Sequence, residues 1–164
     1  MRMIASAAQV APAMLIRYYD SKEGLFAAAA RIDLRLPDLS DTPFDLLGQT
    51  LVSHFLERWE GDGSDGELQA LLRASVSHEG ARDALTGIFE RQLRAPIERT
   101  GVSDAQTRAA LIASQMLGLA LGRYILSLPG LAILNRQSIV ALIAPTIQAY
   151  LDVALPPGGT TGTI

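Results

Sequence analysis

The sequence of 164 residues predicts an all-α fold. Apolar residues recur three and four positions apart through most of the chain, which is the spacing of one face of a helix. Prolines and glycines separate these runs at the places where helices begin and end. Neither an alternating strand pattern nor an internal repeat interrupts the series. The chain is therefore expected to be a set of packed helices, long enough to bury one good core beside a small appended unit.

A helix is predicted at 22–36 and is expected to end at Pro37, and the helices of the main part are predicted to follow it. Their expected bounds are 43–60, 68–76, 79–99, 104–128 and 136–154. Pro145 lies inside the last of these helices and is expected to bend it. Together, residues 37–154 are predicted to form one helical bundle. The tail at 155–164 is rich in proline, glycine and threonine, and is expected to be disordered.

The helix expected at 104–128 is apolar on almost every side. A run of about twenty apolar residues also fits a membrane span, but Gln115 and Arg123 lie inside it and no neighbouring segment supports that interpretation. Burial against other helices fits better, because small residues recur at steps of four and allow another backbone to come close. These residues are Ala110, Ser114, Gly118 and Gly122.

The hydrophobic fraction of 49% is high for a chain that stays single in solution. We therefore predict a homodimer that forms through the helices at 104–128 and 136–154. The first helix is expected to contribute its stripe of small residues. The second is expected to contribute Val140, Ile143, Ile147 and Leu151.

Residues 4–26 carry the one pattern that indicates what the protein binds. Two short helical patterns, at 3–9 and 12–19, are separated by only two residues, which is the spacing of a helix-turn-helix. The second helix leaves Arg17 and Tyr18 on its outer side, where side chains reach base edges in a DNA major groove. The residues expected at double-stranded operator DNA are Ala11, Pro12, Ala13, Met14, Arg17, Tyr18 and Lys22.

The distribution of charge agrees with this assignment. Residues 1–36 hold five basic and three acidic side chains, whereas the remainder holds nine basic and fourteen acidic ones. A basic end on an acidic body is expected when only one end of the molecule approaches phosphates.

The same stretch resembles the DNA-binding signature of TetR/AcrR-type transcriptional regulators. The matching positions are Ile4, Ala5, Ala8, Val10, Leu15, Tyr18, Ser21, Lys22, Glu23 and Leu25, with Tyr19 at the usual phenylalanine. The chain departs from the family pattern at Gln9, Ala11 and Ile16, which we expect to weaken DNA binding more than the fold. Family members also carry a first helix and a basic arm upstream. We therefore expect residues 1–36 to be a partial DNA-binding domain, truncated or with its start assigned late.

The resemblance implies that residues 37–154 form a regulatory and dimerisation domain. A family member of this kind is a ligand-responsive regulator, usually a repressor, whose dimer leaves its operator when a small, largely apolar effector enters the core. A pocket is expected among helices 43–60, 79–99 and 104–128, although apolar residues at helical spacing also fit plain core packing. The alternative function is a truncated sensor or dimerisation module without specific DNA binding. The expected pocket residues are Phe55, Trp59, Phe89, Gln115, Met116, Arg123 and Tyr124.

No motif in the sequence indicates catalysis. His54 and His78 are the only histidines and cysteine is absent, so no set of zinc ligands at the usual spacing occurs. Serines such as Ser53 and Ser75 lack the motif that surrounds a catalytic nucleophile. We therefore expect no enzyme activity, no metal and no cofactor. The N-terminus has no charged and then apolar leader, so a cytoplasmic protein is expected.

Overall fold

A computed structural model describes residues 32–61 and 67–155 of the chain. Within these ranges all regular structure is helical and no strand occurs, which confirms the all-α prediction. The residues predicted to contact DNA, at 11–14, 17, 18 and 22, lie outside the described ranges, as does nearly all of the predicted tail. The helices are α1 Leu47–Glu60, α2 Glu67–Ser75, α3 Glu79–Gln92, α4 Arg94–Arg99, α5 Ala105–Ala120, α6 Pro129–Ala132 and α7 Arg136–Asp152.

The main core lies where α1, α4, α5 and α7 meet, and it is built around Val52, Ile97, Ile112 and Ile147. A second cluster joins α2 and α3 to the ends of α1 and α5, and it includes Ile32. Phe55 and Phe89 pack against both clusters. The junction between the two clusters is therefore formed by apolar side chains from both.

The single helix predicted at 79–99 is two helices, with a break at Leu93. The cause is Pro96, which has no N–H to donate and whose ring would clash with the carbonyl four residues earlier, at Gln92. The chain resumes a helical path only as the short α4, in which Pro96 and Ile97 are buried.

The helix predicted at 104–128 also ends early. After Ala120 it widens into a π-helical turn, Leu121–Ile125, in which the Leu126 N–H donates to the Leu121 carbonyl at 2.8 Å. Gly118 and Gly122 weaken the helix here, since glycine is about 1 kcal/mol less favourable than alanine in a helix. Within the described part of the chain, no helix has both the length and the apolar character to span a membrane.

Arg108 is the one buried charged side chain among the described residues, with 4% of its surface exposed. It donates hydrogen bonds to the Ser103 carbonyl at 2.7 Å and to the carbonyls of Tyr150, Leu151 and Val153 at 2.6–3.0 Å. The last carbonyls of a helix carry partial negative charge and have no partner inside the helix. Arg108 therefore fastens the end of α7 to the beginning of α5.

Candidate functional site

A small cavity lies at the junction of the two core clusters, among α1, α2, α3 and α5. Its volume is about 60 Å³ and its walls are almost entirely apolar. Of the residues expected to line a pocket, the structure places Phe55, Trp59, Phe89 and Met116 on the cavity wall. This is the region where the sequence predicts the pocket, although ligand binding there stays a prediction.

The polar residues expected on that wall are not there. Gln115 lies beside the buried Met116 but on a more exposed side of α5, and it does not line the cavity. Arg123 and Tyr124 are held by the carboxylate of Glu60, at 2.9 Å from Arg123 Nε and 2.8 Å from the Tyr124 hydroxyl. These three residues are therefore not part of the cavity wall in this structure, because Gln115 lies on a more exposed side of α5 and Glu60 binds the other two.

Glu60 is the centre of this polar cluster, which joins the end of α1 to the start of α7. It also accepts a hydrogen bond from Arg136 Nε at 2.7 Å. Burial of the Glu60 carboxylate raises its pKa, but the bonds from Arg136, Tyr124 and Arg123 outweigh burial, and the net pKa is lowered. Burial first, and then the bond to Glu60, raise the pKa of the Tyr124 phenol. The Tyr124 ring stacks on Trp59 with centroids 5.2 Å apart, so the cluster touches a residue of the cavity wall.

One wall of the cavity is not helical. Residues 32–36, the connecting segment, lie over the cavity with Leu34 and Leu36 on its lining and Ile32 buried in the second cluster. The side-chain amide of Gln92 holds the segment from both sides, accepting from the Leu34 N–H at 2.6 Å and donating to the Ile32 carbonyl at 2.7 Å. The sequence predicts residues 32–36 to be the end of a helix and part of the DNA-binding domain. They are not helical, and they pack on the helices of the C-terminal part of the chain.

Two further side chains bind the connecting segment, and both line the cavity. His54 Nε2 lies 2.7 Å from the Leu34 carbonyl, and Arg58 Nε lies 3.3 Å from the Asp33 carbonyl. Sequence reasoning missed both as pocket residues. The one available signal was their spacing of four on the same helix as Phe55 and Trp59, which places His54 and Arg58 on one face.

The size of the cavity limits what it holds in this conformation. Its volume of about 60 Å³ is far below the 300–1,000 Å³ or so of typical small-molecule sites. A ligand of ordinary size therefore requires one wall to move.

The predicted dimer residues fall into two groups. Ala110, Ser114 and Gly118 are exposed on α5, and a Cβ atom added to Gly118 would meet no atom within 4 Å. Gly122 is buried instead, since a Cβ atom there would lie 2.9 Å from Leu131 Cδ1.

On α7 the predicted stripe faces inward. Ile147 is 0% exposed and Leu151 is 3% exposed, while Val140 and Ile143 are half-buried against the same core. Ile147 and Leu151 are therefore covered by α1 and α5 of the same chain, whereas the assignment of Val140 and Ile143 to a dimer interface stays a prediction. The large apolar residues that α7 and its end expose are Leu142, at 63%, and Val153, at 57%.

No group of histidine, aspartate and glutamate side chains suited to a metal ion occurs in residues 32–61 and 67–155. The buried Nε2 atom of His78 has no hydrogen-bond partner, and His78 does not line the cavity. The polar side chains that line the cavity beside its apolar residues include those of His54 and Arg58.

Two family models match the chain. The model described as "Tetracyclin repressor-like, C-terminal domain" matches residues 45–151, and the model described as "Bacterial regulatory proteins, tetR family" matches residues 1–29. Comparison with curated proteins and with solved structures returns no significant match. The first model covers more than half of the chain and the described helices, and the second covers the predicted helix-turn-helix. The chain therefore belongs to the TetR family of DNA-binding transcriptional regulators.

Proposed function

We propose that the protein is a ligand-responsive repressor whose homodimer binds operator DNA and releases it when a small, largely apolar molecule enters the core. The observation that carries this proposal is the apolar cavity whose wall includes the connecting segment 32–36. That segment is joined through two residues to the stretch matched by the N-terminal family model. A change in the cavity wall would therefore act directly on the chain that leads to the DNA-binding part.

The proposed roles of the two parts of the chain follow the two family models. The DNA-binding part lies within residues 1–36 and the regulatory and dimerisation part within 37–154, with the connecting segment packed on the latter. Arg17 and Tyr18 would face the major groove, and Lys22 would hold a phosphate. Arg17 is the residue with a fork that reads guanine, so it would carry most of the sequence preference. Its neighbours Ala11, Pro12, Ala13 and Met14 would lie close to the DNA.

Dimerisation is proposed through the exposed faces of α5 and α7. The face of α5 presents Ala110, Ser114 and Gly118, which permit close approach of another helix. Leu142 is the large apolar side chain that α7 itself exposes, and it adds apolar surface on the second helix. Obligate interfaces of this kind commonly bury more than about 2,000 Å² in total. A cytoplasmic location is part of the same proposal, since a regulator of this kind acts on bacterial chromosomal DNA.

The test is a gel-shift titration on the DNA that flanks the gene, compared with random DNA of equal length. We expect preferential binding that weakens by about 1–3 kcal/mol for Arg17→Ala and loses its sequence preference. Lys22→Ala is the matched control, since loss of a phosphate contact weakens all sequences alike and flattens the salt dependence. Equal binding of flanking and random DNA by the unmodified chain would instead support the alternative, a sensor or dimerisation module.

A further inference from the structure

The two polar side chains on the cavity wall share an unusual arrangement. His54 and Arg58 lie one turn apart on α1, and each is placed to donate a hydrogen bond to a backbone carbonyl of the connecting segment. A carbonyl oxygen accepts and never donates, so the Nε2 atom of His54 carries a hydrogen. The polar groups of the cavity are therefore donors, and both are engaged by Leu34 and Asp33.

The chemistry of the wall selects a class of ligand. The lining includes one cation, Arg58, and its described residues include no aspartate or glutamate. The rest of the wall is apolar, apart from the donor His54. An amine would meet like charge and no acceptor side chain, and a pure hydrocarbon that displaced the connecting segment would leave the donors of His54 and Arg58 without acceptors. A carboxylate on an apolar body satisfies both donors, through charge-assisted hydrogen bonds.

We propose that the effector is an apolar carboxylate, and that its carboxylate takes over the hydrogen bonds which His54 and Arg58 give to the connecting segment. This inference rests on the proposed function, since it names the ligand class of the same regulatory cavity. Binding and release are then coupled, because the ligand gains the hydrogen bonds of His54 Nε2 and Arg58 Nε only as the carbonyls of Leu34 and Asp33 lose them.

The connecting segment is the part of the cavity wall that moves when the ligand binds. The other walls are helices, each held by its own hydrogen-bond ladder and by packing on both sides. The segment is held by the Gln92 amide, by His54 and Arg58, and by three apolar side chains. It also contains Arg35 in the left-handed region, at φ 52°, where a side chain is disfavoured. Displacing it enlarges a cavity of about 60 Å³ without breaking a helix.

The binding experiment uses the 164-residue chain, with decanoate as the probe and decanol as the matched neutral ligand. Trp59 is the only tryptophan and lies on the cavity wall, so its fluorescence reports occupancy. We expect saturable binding of decanoate with a Kd at least about tenfold below that of decanol. Equal or weaker binding of decanoate, or no binding, would overturn the inference.

Variants locate the source of that preference. His54→Phe and Arg58→Met keep the bulk of the side chain and remove a donor, and each should bring the two Kd values together. His54→Gln retains a donor and should preserve part of the difference. Arg94→Met removes an exposed arginine from α4, away from the cavity lining, and should leave both Kd values unchanged. A preference for decanoate that survives in both His54→Phe and Arg58→Met would contradict the assignment.

The release of the connecting segment has its own readout. The Leu34 amide donates to Gln92 Oε1, so its hydrogen exchange measures whether the segment is docked. Saturating decanoate should accelerate that exchange, and unchanged exchange at full occupancy would overturn the coupling. Gel shifts distinguish a failure of the carboxylate inference from a failure of the repressor proposal. If another apolar molecule releases the DNA while decanoate fails to bind, the carboxylate class alone is wrong. If decanoate behaves as expected but no DNA is preferred, the repressor proposal fails and the site stands.

Discussion

Gly48 of α1 packs directly against the backbone of Ala144 in α7. A Cβ atom added to Gly48 would lie 2.5 Å from the Ala144 carbonyl oxygen and 2.8 Å from the Gln148 nitrogen. Gln148 completes the contact, since its side-chain amide accepts from the Gly48 N–H and donates to the Phe44 carbonyl, both at 2.9 Å. The crossing thus joins two helices and also pairs an otherwise open N–H group of the first turn of α1.

We expect Gly48→Ala to destabilise the fold by about 1–3 kcal/mol, because the methyl group meets backbone atoms that cannot rotate away. Urea unfolding monitored by circular dichroism measures the difference. Gly130→Ala is the matched control, since a Cβ atom there meets nothing within 4 Å. Its stability should be unchanged or slightly higher. Equal effects of the two substitutions would show that α1 and α7 do not approach as closely as described.

The buried guanidinium of Arg108 gives a second prediction. Arg108→Met keeps an unbranched side chain but leaves the carbonyls at the end of α7 without donors, and each buried unpaired group costs about 1–3 kcal/mol. We expect a loss of roughly 3 kcal/mol and faster hydrogen exchange in the last turn of α7. Arg82→Met, on the exposed side of α3, should change the free energy of unfolding by less than about 0.5 kcal/mol. A mild effect at Arg108 would mean that water replaces its hydrogen bonds.

The helical fold could be predicted because its signals are local. Apolar spacing located α1, α5 and α7 to within a few residues at most ends, and Gly61 directly follows the end of α1. Pro37 does not end a helix, because residues 32–36 before it are not helical. Even the break at Leu93 had a local signal in Pro96, which the apolar periodicity of 79–99 masked. Where the chemistry of a single residue decides the local structure, the sequence alone is sufficient to predict that structure.

The residues of the cavity wall could not be predicted, because they are brought together by contacts between distant parts of the sequence. Gln92 and Leu34 are 58 positions apart, and His54 and Leu34 are 20 apart. Two residues of the predicted dimer stripe of α7 lie in the core of their own chain for a related reason. An apolar face at Ile147 and Leu151 shows that something covers it, but not whether the cover belongs to the same chain.

The lowered pKa of Glu60 predicts that the stability of the fold depends on pH. Because the pKa of Glu60 is lower in the folded chain than its ordinary value of 4.5, the folded protein binds fewer protons than the unfolded one near that pH. The resulting stability is complete above about pH 4.5 and is lost as the pH falls through the lowered pKa. Glu60→Gln should therefore cost about 1–3 kcal/mol at pH 7, and the gap to the unmodified protein should shrink in acid.

Thermal unfolding between pH 3 and pH 7 measures this gap. Glu98→Gln is the control, because Glu98 is 61% exposed and lies 3.9 Å from Arg94 in a surface pair. Pairs of this kind contribute at most about 1 kcal/mol, so the control should follow the unmodified protein closely. A gap at Glu60 that stays constant with pH would show that the ionised carboxylate is not what holds Arg123, Tyr124 and Arg136.

Gly118 offers the sharpest test of the proposed dimer. A side chain added at Gly118 meets no atom of its own chain within 4 Å, so Gly118→Leu should leave the helical fold intact. It would fill the surface on which a second helix is proposed to lie, and light scattering should then give the mass of one chain. Ile147→Ala is the contrasting variant: Ile147 is buried in the core, so it should cost about 2–5 kcal/mol of stability. A Gly118→Leu protein that remains dimeric would exclude this face of α5 from the interface.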